Sequence, residues 1–264
     1  MPAPRPGRSV MAGLSLPVLV ALGLAGLVGG VGITAVGPGG VLPTIALFAL
    51  TDLAPAQVAG TAMVTHVATG VLATAAYTRS GQLRDPRTRR TALILAAAAL
   101  AGAPFGVLIN TLVSRQVFGG VLAVFVAGVA ALMWLRERRR PAETRPHPSP
   151  GAVAVLGLAV AVAAGVVGVG GPMLTVPLLV ALGVPVLESL ACAQAQSIAI
   201  AVVGSAGYLA HDAVDWPLAV LVGVPELAGV LLGWKIARAL PARTLKYALL
   251  VTLLALAPYL ALHG

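Results

Sequence analysis

The sequence has little charge, few aromatic residues and a single cysteine. Charged residues make up 9% and aromatic residues 4% of the 264 residues, whereas ordinary soluble domains carry about 25% charged residues. So few charges cannot cover the surface of a soluble domain, which excludes that class. The one cysteine, Cys192, excludes an intrachain disulfide and a metal site built from several cysteines.

Enzyme motifs are missing as well. The sequence has no His-Glu-x-x-His zinc motif and no phosphate loop of the Gly-x-x-x-x-Gly-Lys type. The segment Gly204-Ser205-Ala206-Gly207 lacks the first glycine of a Gly-x-Ser-x-Gly nucleophile motif, because Val203 stands there. We therefore predict no cofactor, no metal and no enzyme activity. An intramembrane enzyme stays open as a weaker alternative, with Cys192 or Ser205 beside His66 as its nucleophile and base.

Apolar residues dominate instead, at 59% of the sequence with a mean hydropathy of +0.98. A membrane-spanning helix needs about 20 apolar residues. We predict an all-α, polytopic integral membrane protein with roughly 8–10 transmembrane or half-membrane helices. The apolar runs fall at 10–36, 41–50, 55–77, 91–111, 116–135, 152–169, 172–183, 187–210, 217–234 and 245–262.

The net charge is +9, and the basic residues that produce it lie between the apolar runs, as in a membrane protein. We therefore predict no nucleic-acid partner. Five arginines lie in 79–90, five in 136–145 and four basic residues in 235–246. Basic loops face the cytoplasm, which predicts a multi-pass protein of the cell (cytoplasmic) membrane. The first 30 residues, with Arg5 and Arg8, also resemble a signal peptide. We favour a first membrane span because this segment has a counterpart later in the chain.

That counterpart belongs to an internal repeat. A shift of 131 positions aligns residues 37–86 with 168–217 without a gap, and beyond it an extra basic insert in the first half brings Gly102 and Pro104 onto Gly223 and Pro225. We predict a first repeat at 1–135, a basic cytoplasmic linker at 136–150 and a second repeat at 151–264. The matches at the shift of 131 include Gly37 with Gly168, Gly39 with Gly170, Gly40 with Gly171, Thr44 with Thr175, Thr61 with Cys192, Thr65 with Gln196, Tyr77 with Tyr208 and Pro86 with Pro217.

Loop charge indicates how the two halves are oriented. The five-arginine loop 79–90 corresponds to 211–216, which has Asp212 and Asp215 and no basic residue. Corresponding loops therefore belong on opposite sides of the membrane. This predicts two inverted-topology repeats, an architecture of many secondary transporters.

Each half has a glycine-rich break before a short apolar run. The runs 41–50 and 172–183 are short for a full crossing, which favours half-helices or a broken hairpin. A helix that starts inside the membrane presents unpaired N–H groups and a positive dipole end, which suit an anion. Close helix packing through small residues is the alternative. We predict that six glycines bind substrate: Gly37, Gly39, Gly40, Gly168, Gly170 and Gly171.

Small polar side chains follow on the next helix of each half. Uncharged donors of this kind suit an oxyanion that must be held and then released, although hydrogen bonds between helices would also explain them. We predict substrate contacts from Thr61, Thr65, Gln194, Gln196 and Ser197.

Glu226 is the one acidic residue well inside an apolar run. An ionisable residue at that depth indicates a functional site, so we predict that Glu226 or His66 carries a coupling proton. A structural pair of Glu226 with Lys235 or His66, or a position nearer the interface, is the alternative. His211, Asp212 and Asp215 are typical of a solvated loop, and Glu188 fits the first turn of a helix.

These features together resemble the sulfite exporter TauE/SafE family of permeases over essentially the whole chain. The resemblance rests on the repeated glycine motif before a proline-containing run, the small-polar helix that follows, the segment from Gly207-Tyr208 through Ala213-Val214-Asp215-Trp216 to Gly223, and the sequence 237–241. It implies transport of sulfite, sulfoacetate or related organosulfonates. Pro38 and Pro172 depart from the family pattern, which predicts unequal sites in the two halves.

We therefore predict a secondary transporter of a small anion that works by alternating access. Its expected partners are the anion, the lipid bilayer and a coupling proton or ion. A transporter of a cation or other small solute stays an alternative, and the oligomeric state is open.

Overall fold

The computed structural model describes residues 10–138 and 148–239, and within them the chain folds into nine α-helices and no strand. The all-α prediction is confirmed. The predicted run 245–262 and the middle of the predicted linker lie outside the described residues. The helices are α1 Leu16–Ala35, α2 Val41–Leu50, α3 Pro55–Arg79, α4 Pro86–Thr111, α5 Arg115–Arg138, α6 Pro150–Val167, α7 Pro172–Ala181, α8 Val186–Leu209 and α9 Trp216–Ala239.

The helices place apolar side chains outside and polar ones inside. Six of the described helices, α1, α3, α4, α6, α8 and α9, are long and apolar enough to cross a membrane. Large apolar side chains such as Leu93 on α4 and Val155 on α6 are exposed, while Gln194, Gln196 and Glu226 are fully buried. Outward leucine and valine around a polar interior is the arrangement that lipid requires.

Proline and a capping side chain fix where several helices begin. Asp85 accepts a hydrogen bond from the Thr88 N–H at 2.8 Å, and Pro86 is the first residue of α4. A side-chain cap followed by proline is a favourable helix start. For this reason α4 begins five residues before the apolar run expected at 91–111, and it includes part of the arginine-rich segment.

The first apolar run is not one helix. A short 3-10 helix, Val10–Gly13, precedes α1, which begins at Leu16 after Ser15. Pro17 lies in the first turn of α1, where its missing N–H costs nothing. The expected single run 10–36 is therefore divided.

Two breaks interrupt the bundle where the glycine motifs predict them. Gly37 has φ of 109° and Gly168 has φ of 75°, conformations that side-chain-bearing residues rarely adopt. After Gly37 a 3-10 helix, Pro38–Gly40, leads into α2. Both α2 and α7 have ten residues and are therefore about 15 Å long, half of the hydrocarbon core. Their length is that of half-membrane helices.

The helix bounds repeat at the predicted shift of 131. Val41 and Pro172 begin α2 and α7, and Leu50 and Ala181 end them. A pair of hydrogen bonds repeats as well. The Tyr77 hydroxyl donates to the Thr34 carbonyl at 2.6 Å, and the Tyr208 hydroxyl donates to the Gly165 carbonyl at 2.7 Å.

Glycine contacts correct the alignment of the second part of each half. Gly102 lies against the Leu158 carbonyl, and Gly229 lies against the Leu27 carbonyl. Because Leu27 and Leu158 keep the shift of 131, Gly102 corresponds to Gly229 and not to Gly223. The predicted match of Gly102 with Gly223 is therefore wrong. The first half carries four extra residues relative to the second, about one helical turn, and repeated small residues permitted the false match.

Backbone contacts through these glycines join helices of different halves. In α1 and α9, and likewise in α4 and α6, the backbones touch so closely that an added Cβ would overlap a carbonyl of the partner. Small residues permit this approach in membranes. We call α1 with α9 and α4 with α6 the glycine-packed pairs; the glycines with these contacts are Gly26, Gly30, Gly102, Gly106, Gly165, Gly229 and Gly233.

Loop contacts give the direction of α3 and α8. The Thr88 hydroxyl, in the first turn of α4, donates to Glu188 in the first turn of α8, so α8 begins beside the loop 80–85. The Asp215 N–H, just before α9, donates to Thr61 near the start of α3. Hence α3 and α8 run in opposite directions, and the two loops lie at opposite ends of α8. The inverted repeat stays a prediction, and these contacts agree with it.

Candidate functional site

Glu226 lies in the middle of the bundle. It is ten residues into α9, about 15 Å from the helix start, and its side chain is 0% exposed. Its Oε2 accepts a hydrogen bond from the Thr65 hydroxyl at 2.6 Å, and its Oε1 lies 3.2 Å from His66 Nδ1. We call Thr65, His66 and Glu226 the carboxylate cluster. Of the partners considered for Glu226, the structure selects His66.

Glycines bring the helices of this cluster together. Gly223, one turn before Glu226, has Thr65 so near that an added Cβ would lie 3.0 Å from Thr65 Cγ2. Gly30 on α1 lies directly against the Glu226 carbonyl. The carboxylate cluster is therefore held where α1, α3 and α9 meet.

The first break adjoins the carboxylate cluster. A Cβ on Gly40 would lie 3.4 Å from His66 Cε1, so the start of α2 faces the imidazole. Gly39 packs against Gly32 of α1. Gly37 lies beside the Pro172 carbonyl, at the start of α7. The two breaks therefore meet each other in the interior of the bundle.

The second break adjoins neutral polar side chains. The Thr175 hydroxyl donates to Gln196 Oε1 at 2.5 Å, and Gln196 Nε2 donates to the Gly157 carbonyl at 3.1 Å. A Cβ on Gly171 would lie 3.1 Å from Gln196 Oε1, and one on Gly170 would lie 2.5 Å from Ser197 Oγ. We call Thr175, Gln196 and Ser197 the amide cluster. All three are buried.

Gln194 links the two halves. Its Nε2 donates to the Ile33 carbonyl in the last turn of α1 at 3.1 Å. Its Oε1 is buried and has no hydrogen-bond partner among the described residues, and the same holds for His66 Nε2. Buried polar atoms nearly always have a partner, so these two atoms mark places where a polar ligand or water would be favourable.

Two other predicted site residues lie outside these clusters. The Thr61 hydroxyl accepts from the Asp215 N–H at 2.9 Å, so it holds the loop before α9. Gly168 packs against Ala59, and its carbonyl accepts from Thr44 at 3.2 Å. Both are buried, and their contacts are within the protein.

The prediction of a solvated loop at 211–215 is correct only in part. His211 and Asp212 are exposed. Asp215 instead accepts from the Leu218 N–H at 3.0 Å and is partly buried. It is therefore a helix cap of α9. Glu188 lies in the first turn of α8, as predicted.

Asn110 and Arg115 are interior polar contacts that sequence reasoning did not select. Asn110 Nδ2 donates to the Val166 carbonyl at 2.6 Å, just before the second break. The Arg115 guanidinium donates to the carbonyls of Phe48 and Thr51, at 2.7 and 3.0 Å, and to that of Leu53. An amide in an apolar run was the available signal for Asn110. No sequence pattern indicated that Arg115 reaches the end of α2.

The geometry does not favour the enzyme alternative. Cys192 Sγ donates to the Thr88 carbonyl at 3.3 Å, near the start of α4, whereas His66 pairs with Glu226. Ser205 Oγ has no hydrogen-bond partner in the described part of the chain. No nucleophile is thus hydrogen-bonded to His66. The described residues also contain no group of three or more His, Cys, Asp or Glu side chains that could hold a metal.

The fold and the site together define the class of protein: an all-α, polytopic membrane protein whose broken helices and buried polar clusters lie inside the bundle. The comparison with protein-family models identifies the family. The model described as sulfite exporter TauE/SafE matches residues 22–260, nearly the whole chain, and the protein belongs to that family. It is therefore an integral membrane protein of a family of transporters for sulfite or related anions. The searches of curated proteins and of solved structures each found no match.

Proposed function

We propose that this protein is a secondary transporter in the cell membrane that moves sulfite or a small organosulfonate by alternating access, coupled to a proton. One observation carries the proposal: the fully buried Glu226 carboxyl lies against His66 and Thr65, next to the break that starts α2. A titratable pair beside a helix start can exchange a proton where an anion is held.

The breaks supply the proposed anion site. The first N–H groups of a helix have no partner within it, and the helix dipole favours negative charge at that end. Gly39 and Gly40 before α2, and Gly170 and Gly171 before α7, bring two such ends into one interior region. Backbone N–H groups therefore provide the primary donors. Gln194 and Gln196 already donate to backbone carbonyls and would have to turn to reach a substrate.

The coupling role of Glu226 follows from its surroundings. An anion that enters beside a negative carboxylate is repelled, and a proton on Glu226 or His66 removes the repulsion. Binding of anion and proton would then favour each other, as a symporter requires. The Thr65 hydroxyl, whose one hydrogen is shared between Glu226 Oε2 at 2.6 Å and the Ala62 carbonyl at 2.9 Å, holds the carboxyl in place.

The test is transport by purified protein in sealed vesicles. We expect uptake or efflux of sulfite or an organosulfonate that responds to an imposed pH gradient. Glu226→Gln keeps the shape but cannot titrate, so transport should lose its response to the gradient. Glu188→Gln, which changes a carboxyl outside the cluster, is the matched control and should behave as the unmodified protein.

Other results would separate the alternatives. Absence of sulfite and organosulfonate transport under either gradient would refute the substrate claim. Competition by a divalent or monovalent cation, with no competition by sulfite or sulfate, would favour a cation transporter. An intact pH response in Glu226→Gln would remove the coupling role of Glu226.

A further inference from the structure

A groove of about 800 Å³ runs along the outer surface between α4 and α8, apart from the central clusters. Small side chains form its floor, and large ones its rim. Ala92 is buried and Ala96 and Ala195 are partly buried, whereas Leu93 and Val202 are 63% and 48% exposed. The groove is thus a concave apolar surface on the side of the bundle that faces lipid.

The groove has a charged end. Arg84 and Arg89, both exposed, line it where α4 begins. Neither forms a salt bridge with a described residue. The nearby acids have other contacts: Asp85 caps α4, and Glu188 accepts from Thr88. Two guanidinium groups at this end therefore lack an acidic partner within the described chain.

The dimensions of the groove match one lipid leaflet. From Arg89 to Leu100, which also lines the groove, α4 rises about 16 Å. Half of the hydrocarbon core is about 15 Å. A lipid whose headgroup lies at the arginines would therefore place its acyl chains along the alanines within the same leaflet.

We propose that this groove is a binding site for an anionic phospholipid, whose phosphate group is held by Arg84 and Arg89. Arginine binds phosphate through two parallel hydrogen bonds, and basic pockets between membrane helices on the cytoplasmic side bind anionic headgroups. A zwitterionic lipid would fill the apolar part equally well and would gain less from the arginines. This site is independent of the proposed transport function.

The test compares phosphatidylglycerol with phosphatidylcholine of the same acyl chains, bound to the purified protein and measured by native mass spectrometry. The double variant Arg84→Gln with Arg89→Gln should weaken phosphatidylglycerol binding about 25-fold, because each arginine near an anionic surface contributes about fivefold. Phosphatidylcholine has the same phosphate and no net charge, so its binding should weaken by a clearly smaller factor. Arg87→Gln with Arg90→Gln removes the same charge beside the groove and is the matched control.

A second variant tests the apolar part without a change of charge. Ala96→Phe fills the groove and should reduce the bound phosphatidylglycerol although both arginines remain. If both double arginine variants lose phosphatidylglycerol binding equally, the loop attracts anionic lipid by its charge alone and has no specific site. That result would overturn the proposal. Phosphatidylglycerol binding that survives both the Arg84/Arg89 and the Ala96 variants would also overturn it. A dimer that Ala96→Phe converts to monomer, with lipid binding unchanged, would assign the groove to a second copy of the chain.

Discussion

The two breaks have similar backbone arrangements and different neighbouring side chains. Each has a glycine with positive φ followed by a ten-residue helix. On the next helix, however, the side chains at equivalent positions differ. The first half has Thr65 and His66 where the second half has Gln196 and Ser197. The first break therefore has a titratable cluster beside it and the second has a neutral one. The two helix starts lie together, and among the described residues only the first has ionisable side chains beside it.

The carboxyl itself has no counterpart. In the corrected alignment, in which Gly102 corresponds to Gly229, the position equivalent to Glu226 is Ala99, which is fully buried on α4. The acid is thus present in one half only, although its helix neighbours are duplicated. This asymmetry is why we assign the proton to the first break and expect the second to act through hydrogen bonds alone.

The largest effect is expected at the glycines of the breaks. Gly168→Ala should cost about 2–5 kcal/mol of stability, because the positive φ is unfavourable by about 1–2 kcal/mol and the Cβ would overlap Ala59, with overpacking adding about 1–3 kcal/mol. Gly37→Ala should destabilise through its backbone more than through overlap, because φ of 109° with ψ of -58° lies outside the left-handed α region and its Cβ would have 3.0 Å to the nearest atoms. Thermal unfolding in detergent measures both. A loss below about 2 kcal/mol in Gly168→Ala would contradict the overlap with Ala59.

The next comparison concerns the two clusters. Gln196→Leu should destabilise the fold by about 1–3 kcal/mol for each buried partner left unpaired, here Thr175 and the Gly157 carbonyl, without moving the pH profile of transport. Thr65→Val removes one hydrogen bond to Glu226 and should shift that profile. Measurement of unfolding and of transport against pH for both variants distinguishes the roles. A shift of the pH profile of transport in Gln196→Leu would refute the assignment of the pH response to the carboxylate cluster.

A smaller and symmetric effect is expected at the tyrosines. Tyr77→Phe and Tyr208→Phe each remove one hydroxyl that donates to a buried carbonyl, at a cost of about 1–3 kcal/mol. Because the two bonds occupy equivalent positions, the losses should agree closely. A cost in one half only would argue against equivalent packing of the two breaks.

The smallest effect is expected at the start of α4. The Thr88 N–H, which donates to Asp85, lowers the pKa of that carboxyl. The charged cap therefore adds stability above the unfolded pKa of about 3.9, and this contribution is lost as the pH falls through the lower folded value. Asp85→Asn should lower the unfolding temperature slightly at neutral pH, and the difference from the unmodified protein should shrink below about pH 4. Asp212→Asn, in an exposed loop, should show no such trend.

Local sequence signals predicted more of the fold than of the contacts. The glycine and proline pattern located both breaks, and the position of Glu226 in an apolar run predicted its burial. The partners of Thr61 and Gln194 could not be predicted, because Asp215 and Ile33 are more than 150 positions away. The alignment beyond Pro86 failed because small residues recur in every helix. Helix pairing depends on which glycines meet across space, and no local pattern records that.

The glycine-packed pairs limit how the molecule can move. Each pair joins a helix of one half to a helix of the other through direct backbone contact. A rigid rotation of one sequence half against the other would therefore break the backbone contacts of both glycine-packed pairs. The alternating access proposed above would therefore have to shift the short helices and the α3–α8 contact, while both glycine-packed pairs stay together.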